Sequence, residues 1–358
     1  MLLAIEAYLR WKGYEPLAAG RRTSYHGLFV RASEDARMRY ELTPGARGRG
    51  WDCDIEINAA GFRDRDYSES KPPGTRRIVA LGDSITFGNF LEAGETWPKR
   101  LEETLQADGR PIEVLNLGVT GYDTLQMVAF LERTGLAFDP DLVVIGFCLN
   151  DNGTASVELS YIERLQRYGS WIYRSRIAQW LRVERDKQLL RRGYHDFNRE
   201  DRFLERNRGE IDDISHDAAL LARMGAIEAS IRRIGEPLPS YVPINWYASR
   251  AHMGKFRFAF RSLAELSERH RVPVLIVILT YLREAPFEEA HDLVYALIAD
   301  ESRAFGFDVL DLAPAVRAAG PESLMVDPED DTHYNAKGHE LIARAIAAHL
   351  VTSGFTRE

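Results

Sequence analysis

This 358-residue chain is poor in the features that mark several large classes of protein. It holds two cysteines, Cys53 and Cys148, too few for a disulfide framework or a cysteine-based zinc site. Cys148 lies inside an apolar run and reads as a small buried side chain. A basic excess is also missing: 46 Lys and Arg against 54 Asp and Glu leave a formal charge of −8, which argues against a general nucleic-acid binder. No apolar run is long enough to span a membrane. Met1 to Leu9 is apolar, but it is short and carries Glu6, so no signal peptide is read. The compartment stays open: cytoplasmic if this start is native, extracytoplasmic or membrane-anchored if an N-terminal anchor has been removed. The chain, at 45% apolar residues, can build one large core and an accessory unit.

The most informative stretch is Leu81–Gly88, LGDSITFG. It sets Ser84 on a glycine-flanked turn directly after the strand-like run Arg77-Ile78-Val79-Ala80. In open parallel sheets ligands collect outside the carboxyl ends of strands, so that turn would present a nucleophile to a crevice. A serine nucleophile needs a base, the base needs an orienting carboxylate, and the developing oxyanion needs donors. Asn116–Thr124 follows a second strand-like run, Ile112–Leu115, and its glycines let a backbone N–H face the crevice. A third buried strand, Asp141–Leu149, delivers Asn150 and Asp151 at its carboxyl end. Near the C-terminus, Asp330-Asp331-Thr332-His333 precedes an amphipathic helix, Ala336–Leu350. The three-residue offset lets Asp330 fold back onto Nδ1 of His333, leaving Nε2 for the serine.

Each residue also has a plainer use. Ser84 would serve as a helix N-cap, Asn150-Asp151 as a turn, and His333 as a surface histidine beside a helix that Asn335 caps. Asp327 and Asp331 compete with Asp330 for the imidazole, and His339 reads as structural. Four such coincidences at successive strand ends have one shared cause more readily than four separate ones.

In that order the four segments resemble the SGNH, or GDSL-type, hydrolases. The resemblance covers roughly Arg76–Asn152 and Val272–Leu350. It makes Gly82-Asp83-Ser84 the nucleophile block and Asp330 with His333 the Asp-x-x-His pair. The Ser84 and Gly121 backbone N–H groups and the Asn150 amide become the oxyanion donors. Asp83 and Asp151 are the substrate-contact candidates beside them. One departure is visible: the family's third block usually reads Gly-x-Asn-Asp, and here two extra residues separate Gly146 from Asn150.

Helix-like runs at Trp97–Gln106, Thr124–Thr134 and Phe287–Phe305 alternate with strand-like runs, including Val272–Thr280 and Asp308–Leu312. This series predicts a three-layer α/β/α sandwich with right-handed crossovers. The family resemblance implies a flavodoxin-like parallel sheet of about five strands. Four segments follow: an N-terminal accessory segment and linker over 1–75, with an extended or hairpin stretch near Asp54–Phe62 and a Lys71-Pro72-Pro73-Gly74 linker; core over 76–152; a mainly helical insert over 153–271; core over 272–358. The insert holds the aromatics Tyr168, Trp171, Tyr173 and Trp180, an Arg-rich helical stretch from Arg182 to Arg208, and helices at Ala218–Ile234 and Ala248–Arg269. It is the candidate lid or substrate wall, and Asn245-Trp246-Tyr247 is placed to approach the crevice.

The expected function is a serine esterase acting through an acyl-enzyme on Ser84, without metal or other cofactor, on a small-molecule or glycan ester such as a short acyl or O-acetyl group. Two alternatives stand beside it: an O-acyltransferase passing the acyl group to a glycan or alcohol, and a non-catalytic binding protein. Neither nucleic acid nor a membrane span enters the expected partners.

Overall fold

The computed structural model describes residues 2–11, 29–107, 109, 111–153, 177, 208–234 and 243–355. After helix α1 (Leu2–Trp11) come two antiparallel hairpins, β1 (Val30–Ala32) with β2 (Tyr40–Leu42), and β3 (Arg47–Gly50) with β4 (Cys53–Glu56). Strand pairing therefore lies earlier than the expected Asp54–Phe62. The β3–β4 turn is built from Trp51 and Asp52 at φ +49° and +61°, the mirror-image turn geometry that matches strand twist. Trp51 keeps this uncommon conformation because it is buried edge-on against Phe87, ring centroids 5.8 Å apart. Asn58 makes a turn instead of strand, its Oδ1 accepting the N–H groups of Ala60 and Phe62. At the linker, Thr75 N–H donates to Pro72 O with Gly74 at φ +76°, so Pro-Pro-Gly closes a tight turn into the sheet.

The sheet consists of β5 (Arg76–Gly82), β6 (Ile112–Gly118), β7 (Leu142–Cys148), β8 (Val274–Leu279) and β9 (Asp308–Asp311), all parallel in the order β6-β5-β7-β8-β9. Every residue of β7 and β8 is buried, as near-continuous apolar strands covered on both faces must be. Alternate side chains divide between two cores. Val79, Leu81, Val143, Ile145 and Ile276 join helices α4 (Thr124–Arg133), α5 (Ala218–Arg233), α6 (Arg250–His270) and α7 (Glu288–Ala304), together with the N-terminal hairpins. Ile78, Ala80, Val144, Leu275 and Val277 face α3 (Trp97–Gln106), α8 (Ala313–Ala319) and α9 (Ala336–Thr352). The chain is thus a three-layer α/β/α sandwich with flavodoxin-like strand order. Helix and strand ends lie within two residues of those expected for α3, α4, α5, α6, α7, α9, β8 and β9. Among the described residues no helix is long and apolar enough to cross a membrane. The insert aromatics Tyr168, Trp171, Tyr173 and Trp180 and residues 182–207 lie outside the described residues.

Three glycines shape the carboxyl edge of this sheet. Gly82 pairs in register with Gly118 on one side and Gly146 on the other. Helix α2 (Ser84–Phe87) rests on them: a Cβ on Gly118 would stand 2.2 Å from Phe87 N, and one on Gly146 would meet Thr86 Oγ1 at 2.8 Å. Bare backbone at three adjacent strands is what lets a helix turn sit directly on the sheet. Gly118→Ala, whose added Cβ would meet the Thr86–Phe87 backbone of α2, is expected to lower stability by about 3 kcal/mol, the upper end of ordinary overpacking. Gly225→Ala, in α5 with open space around it, is expected to raise stability by about 0.5–1 kcal/mol. Urea unfolding of the two variants beside the parent checks both signs.

Candidate active site

Ser84 is the first residue of α2, and Asp83, not Ser84, is the N-cap: its Oδ1 accepts Ile85 N–H at 2.9 Å. The cap preceding the serine leaves the Ser84 hydroxyl unused by the backbone. Ser84 Oγ lies 2.9 Å from His333 Nε2. His333 Nδ1 stands 3.1 and 3.0 Å from the two Asp330 oxygens. Asp330 Oδ1 also accepts the backbone N–H groups of His333 and Thr332. Burial alone would raise the Asp330 carboxyl. The hydrogen bond and charge of His333, with the two backbone N–H groups, outweigh it and hold the carboxyl at about 2. Asp327 and Asp331 are engaged elsewhere, with Glu329 N–H and the Thr332 hydroxyl, so Asp330 alone faces the imidazole. Phe90 packs edge-to-face on His333, centroids 5.5 Å apart, and holds φ +71°, a strained conformation for a bulky residue.

His339 is fully buried in α9, and its Nδ1 accepts Trp97 N–H at 2.9 Å. Burial, then the charges of His333 and Arg63, pull it down to about 3, so it is a neutral acceptor capping α3.

Besides the Ser84 N–H, the two other oxyanion candidates come from the β6–α4 loop and the loop after β7. Tyr122 N–H donates to Val119 O and Gly121 has φ +79°, a type II turn that needs glycine at its third position. Val119 N–H donates to Gly82 O, so the turn hangs from the strand that carries Ser84. Asn150 Nδ2 donates to Asp83 Oδ2 at 2.9 Å, and Ser84 Oγ lies 3.3 Å from the same oxygen. Asp83 thereby ties Asn150 to the serine despite the two extra residues after Gly146. Asp83 and Asp151 are both fully buried; Asp151 Oδ2 accepts Cys148 N–H. Burial, then the negative charge of Asp83, push the Asp151 carboxyl well up. Both carboxylates, the expected substrate contacts, are thus enclosed, and their hydrogen-bond partners here are protein groups.

Residues outside the four motifs hold this arrangement. Arg63, buried in the N-terminal segment, donates to the carbonyls of Phe87, Gly88 and Leu91 at the far end of α2. Lys255 of α6 pairs with Asp123 at 3.0 Å and also donates to Gly153 O, clamping the loops that carry Gly121 and Asn150. The Thr124 hydroxyl donates to Asp151 O across the same gap. Trp246 lies against Gly153, and the Tyr247 hydroxyl donates to Leu149 O, so the segment ahead of α6 packs on the two flanks of the Asn150 loop. Arg63, Phe90 and Lys255 carry no local sequence signal; only long-range contacts pick them out.

A model of the GDSL-like lipase/acylhydrolase family matches residues 80–341. The chain belongs to that family. An arylesterase of Vibrio mimicus is 30% identical over 77 residues, which span 22% of this chain and 38% of that protein. Among solved structures, a lipase/acylhydrolase from Enterococcus faecalis is 16% identical, with 78% of this chain and 96% of that chain covered and a TM-score of 0.43. A mutant of Axe2, an acetyl-xylooligosaccharide esterase from Geobacillus stearmophilus, is 15% identical with 76% and 93% covered and a TM-score of 0.43.

The depressed Asp330 carboxyl sets an acid limit on stability. Its folded value of about 2 lies below the ordinary carboxylate value, so its contribution, about 2 kcal/mol, is fully present above about pH 4 and is lost as pH falls through the folded value. Urea unfolding should therefore find Asp330→Asn less stable than the parent by roughly that amount at pH 6, with the two converging towards pH 2. A gap unchanged down to pH 2 would mean that the carboxylate charge is not its source.

Proposed function

We propose that the protein hydrolyses a carboxylic ester through an acyl-enzyme on Ser84. The observation that carries this reading is the 2.9 Å contact between Ser84 Oγ and His333 Nε2, backed by Asp330 on the opposite ring nitrogen. In the reaction Ser84 Oγ attacks the ester carbonyl carbon while its proton passes to His333 Nε2. Asp330 fixes the tautomer and stabilises the imidazolium. The carbonyl oxygen gains charge and is met by the N–H groups of Ser84 and Gly121 and by Asn150 Nδ2. Asn150 spends one amide proton on Asp83 and has a second for the oxyanion. The tetrahedral adduct collapses, the C–O bond to the alcohol breaks, and the alkoxide takes the proton from His333. Water then adds to the acyl-serine by the same route and releases the acid. The acyl part of the ester is proposed to be a short acyl or O-acetyl group, which the chain-length series below tests.

Hydrolysis of p-nitrophenyl acetate and longer p-nitrophenyl esters by the parent, Ser84→Ala and Asn150→Ala tests the reading. Ser84→Ala should abolish turnover. Asn150→Ala should lower kcat about a hundredfold to a thousandfold with little change in KM. Turnover untouched in Ser84→Ala would overturn the assignment. Ester consumption that accelerates on adding a glycan or alcohol, with acylated product, would replace hydrolysis by acyl transfer.

A further inference from the structure

We propose that Tyr40, on the N-terminal hairpin, is a positioning residue that aims the Gly121 N–H at the oxyanion; this rests on the ester-hydrolysis reading above. Tyr40 is fully buried in β2, and its hydroxyl donates to Thr120 O at 2.8 Å. Thr120 and Gly121 are the central residues of the type II turn Val119–Tyr122. The peptide joining them is the one that distinguishes turn types. Types I and II share their end points and differ by a flip of that central plane, and glycine at the third position admits both. Because the peptide is planar and trans, its C=O and N–H point in opposite directions. The Tyr40 hydroxyl draws the Thr120 carbonyl towards the N-terminal hairpin, so the Gly121 N–H is turned away from that hairpin. In the flipped turn the carbonyl oxygen would face the other way and meet the oxyanion with a negative dipole.

The surroundings single Tyr40 out for this task. The Tyr122 hydroxyl donates back to Tyr40 O at 2.5 Å, and the two rings meet edge-on with centroids 5.1 Å apart. Gln126 Nε2 donates to Met38 O at 2.7 Å, fixing the strand that presents Tyr40 against the start of α4. The Thr120 side chain is held separately, its hydroxyl donating to Asn89 Oδ1 at 2.9 Å, but that bond leaves the peptide plane free to rotate. The Tyr40 hydroxyl is the contact that acts on the plane itself. The segment ahead of the sheet is therefore part of the site's construction and not an appendage.

Two replacements in the full chain test this: Tyr40→Phe, and 4-fluorophenylalanine at position 40, which fills the hydroxyl's space without donating. A hydrogen bond of ordinary net worth shifts a two-state flip by up to about tenfold. Both proteins should show kcat for p-nitrophenyl acetate lowered, by at most about tenfold, with KM within about twofold, at temperatures where circular dichroism matches the parent. Affinity for a trifluoromethyl ketone, which forms a tetrahedral adduct on the serine, should fall by the same factor as kcat. Unchanged kcat in both folded proteins would overturn the proposal. So would a loss shared equally by KM and by ketone-independent stability, which marks a merely structural tyrosine. Turnover that survives Ser84→Ala in the same assay would remove the ester-hydrolysis reading itself, and this inference with it.

Discussion

The site depends on one steric constraint: backbone without side chains at the carboxyl ends of three adjacent strands. Gly82, Gly118 and Gly146 stand in register, and α2 descends onto them until Phe87 N would lie 2.2 Å from any Cβ on Gly118. A side chain at these places would lift the helix turn by more than the tolerance of a 2.9 Å hydrogen bond. The contact between Ser84 and His333 is thus set by the sheet, because α2 is only four residues long and has no stability of its own to set it.

Around that seat the chain spends its buried charge on loop carbonyls and caps. Arg63 binds three carbonyls at and just beyond the C-terminal end of α2, where a cation also complements the helix dipole. Asp83 caps the other end and holds Asn150. Lys255 joins Asp123 to Gly153. These groups come from the N-terminal segment, the turn that carries Ser84 and helix α6, so elements far apart in sequence converge on the same few loops. A buried ion pair such as Lys255 with Asp123 adds little net stability. Its evident effect is to fix where the two loops sit, as expected of groups that support a rigid site.

Much of this was legible in the sequence, for identifiable reasons. Strands such as Leu142–Cys148 and Val274–Leu279 are continuous apolar runs, which few other structures use. Asp330 and His333 stand at the three-residue offset the pairing requires, Ser84 sits in its turn motif after a strand, and the fold brings them within hydrogen-bond distance. The β3–β4 hairpin was misjudged because Trp51-Asp52 occupies a turn where Asn-Gly is the usual signal. Its support is the distant ring of Phe87, which no local window contains. Tyr40, Arg63 and Lys255 were missed for the same reason. Each acts across 24 to 132 residues of chain, and an isolated Arg or Lys in a sequence reads as a solvated side chain. The plainer use open to Ser84, as a helix N-cap, falls to the preceding Asp83, since both residue types cap well and only geometry chooses between them.

The central claim is that Ser84 is made nucleophilic by His333 and Asp330. Its most direct test is to treat the folded protein with a fluorophosphonate and map the adduct by peptide mass spectrometry. The account predicts one phosphonyl group, on the peptide carrying Ser84, formed rapidly by the parent and at least a hundredfold more slowly, on the order expected for a lost general base, when His333 is replaced by alanine. Labelling of another residue, or equal labelling rates with and without His333, would contradict it.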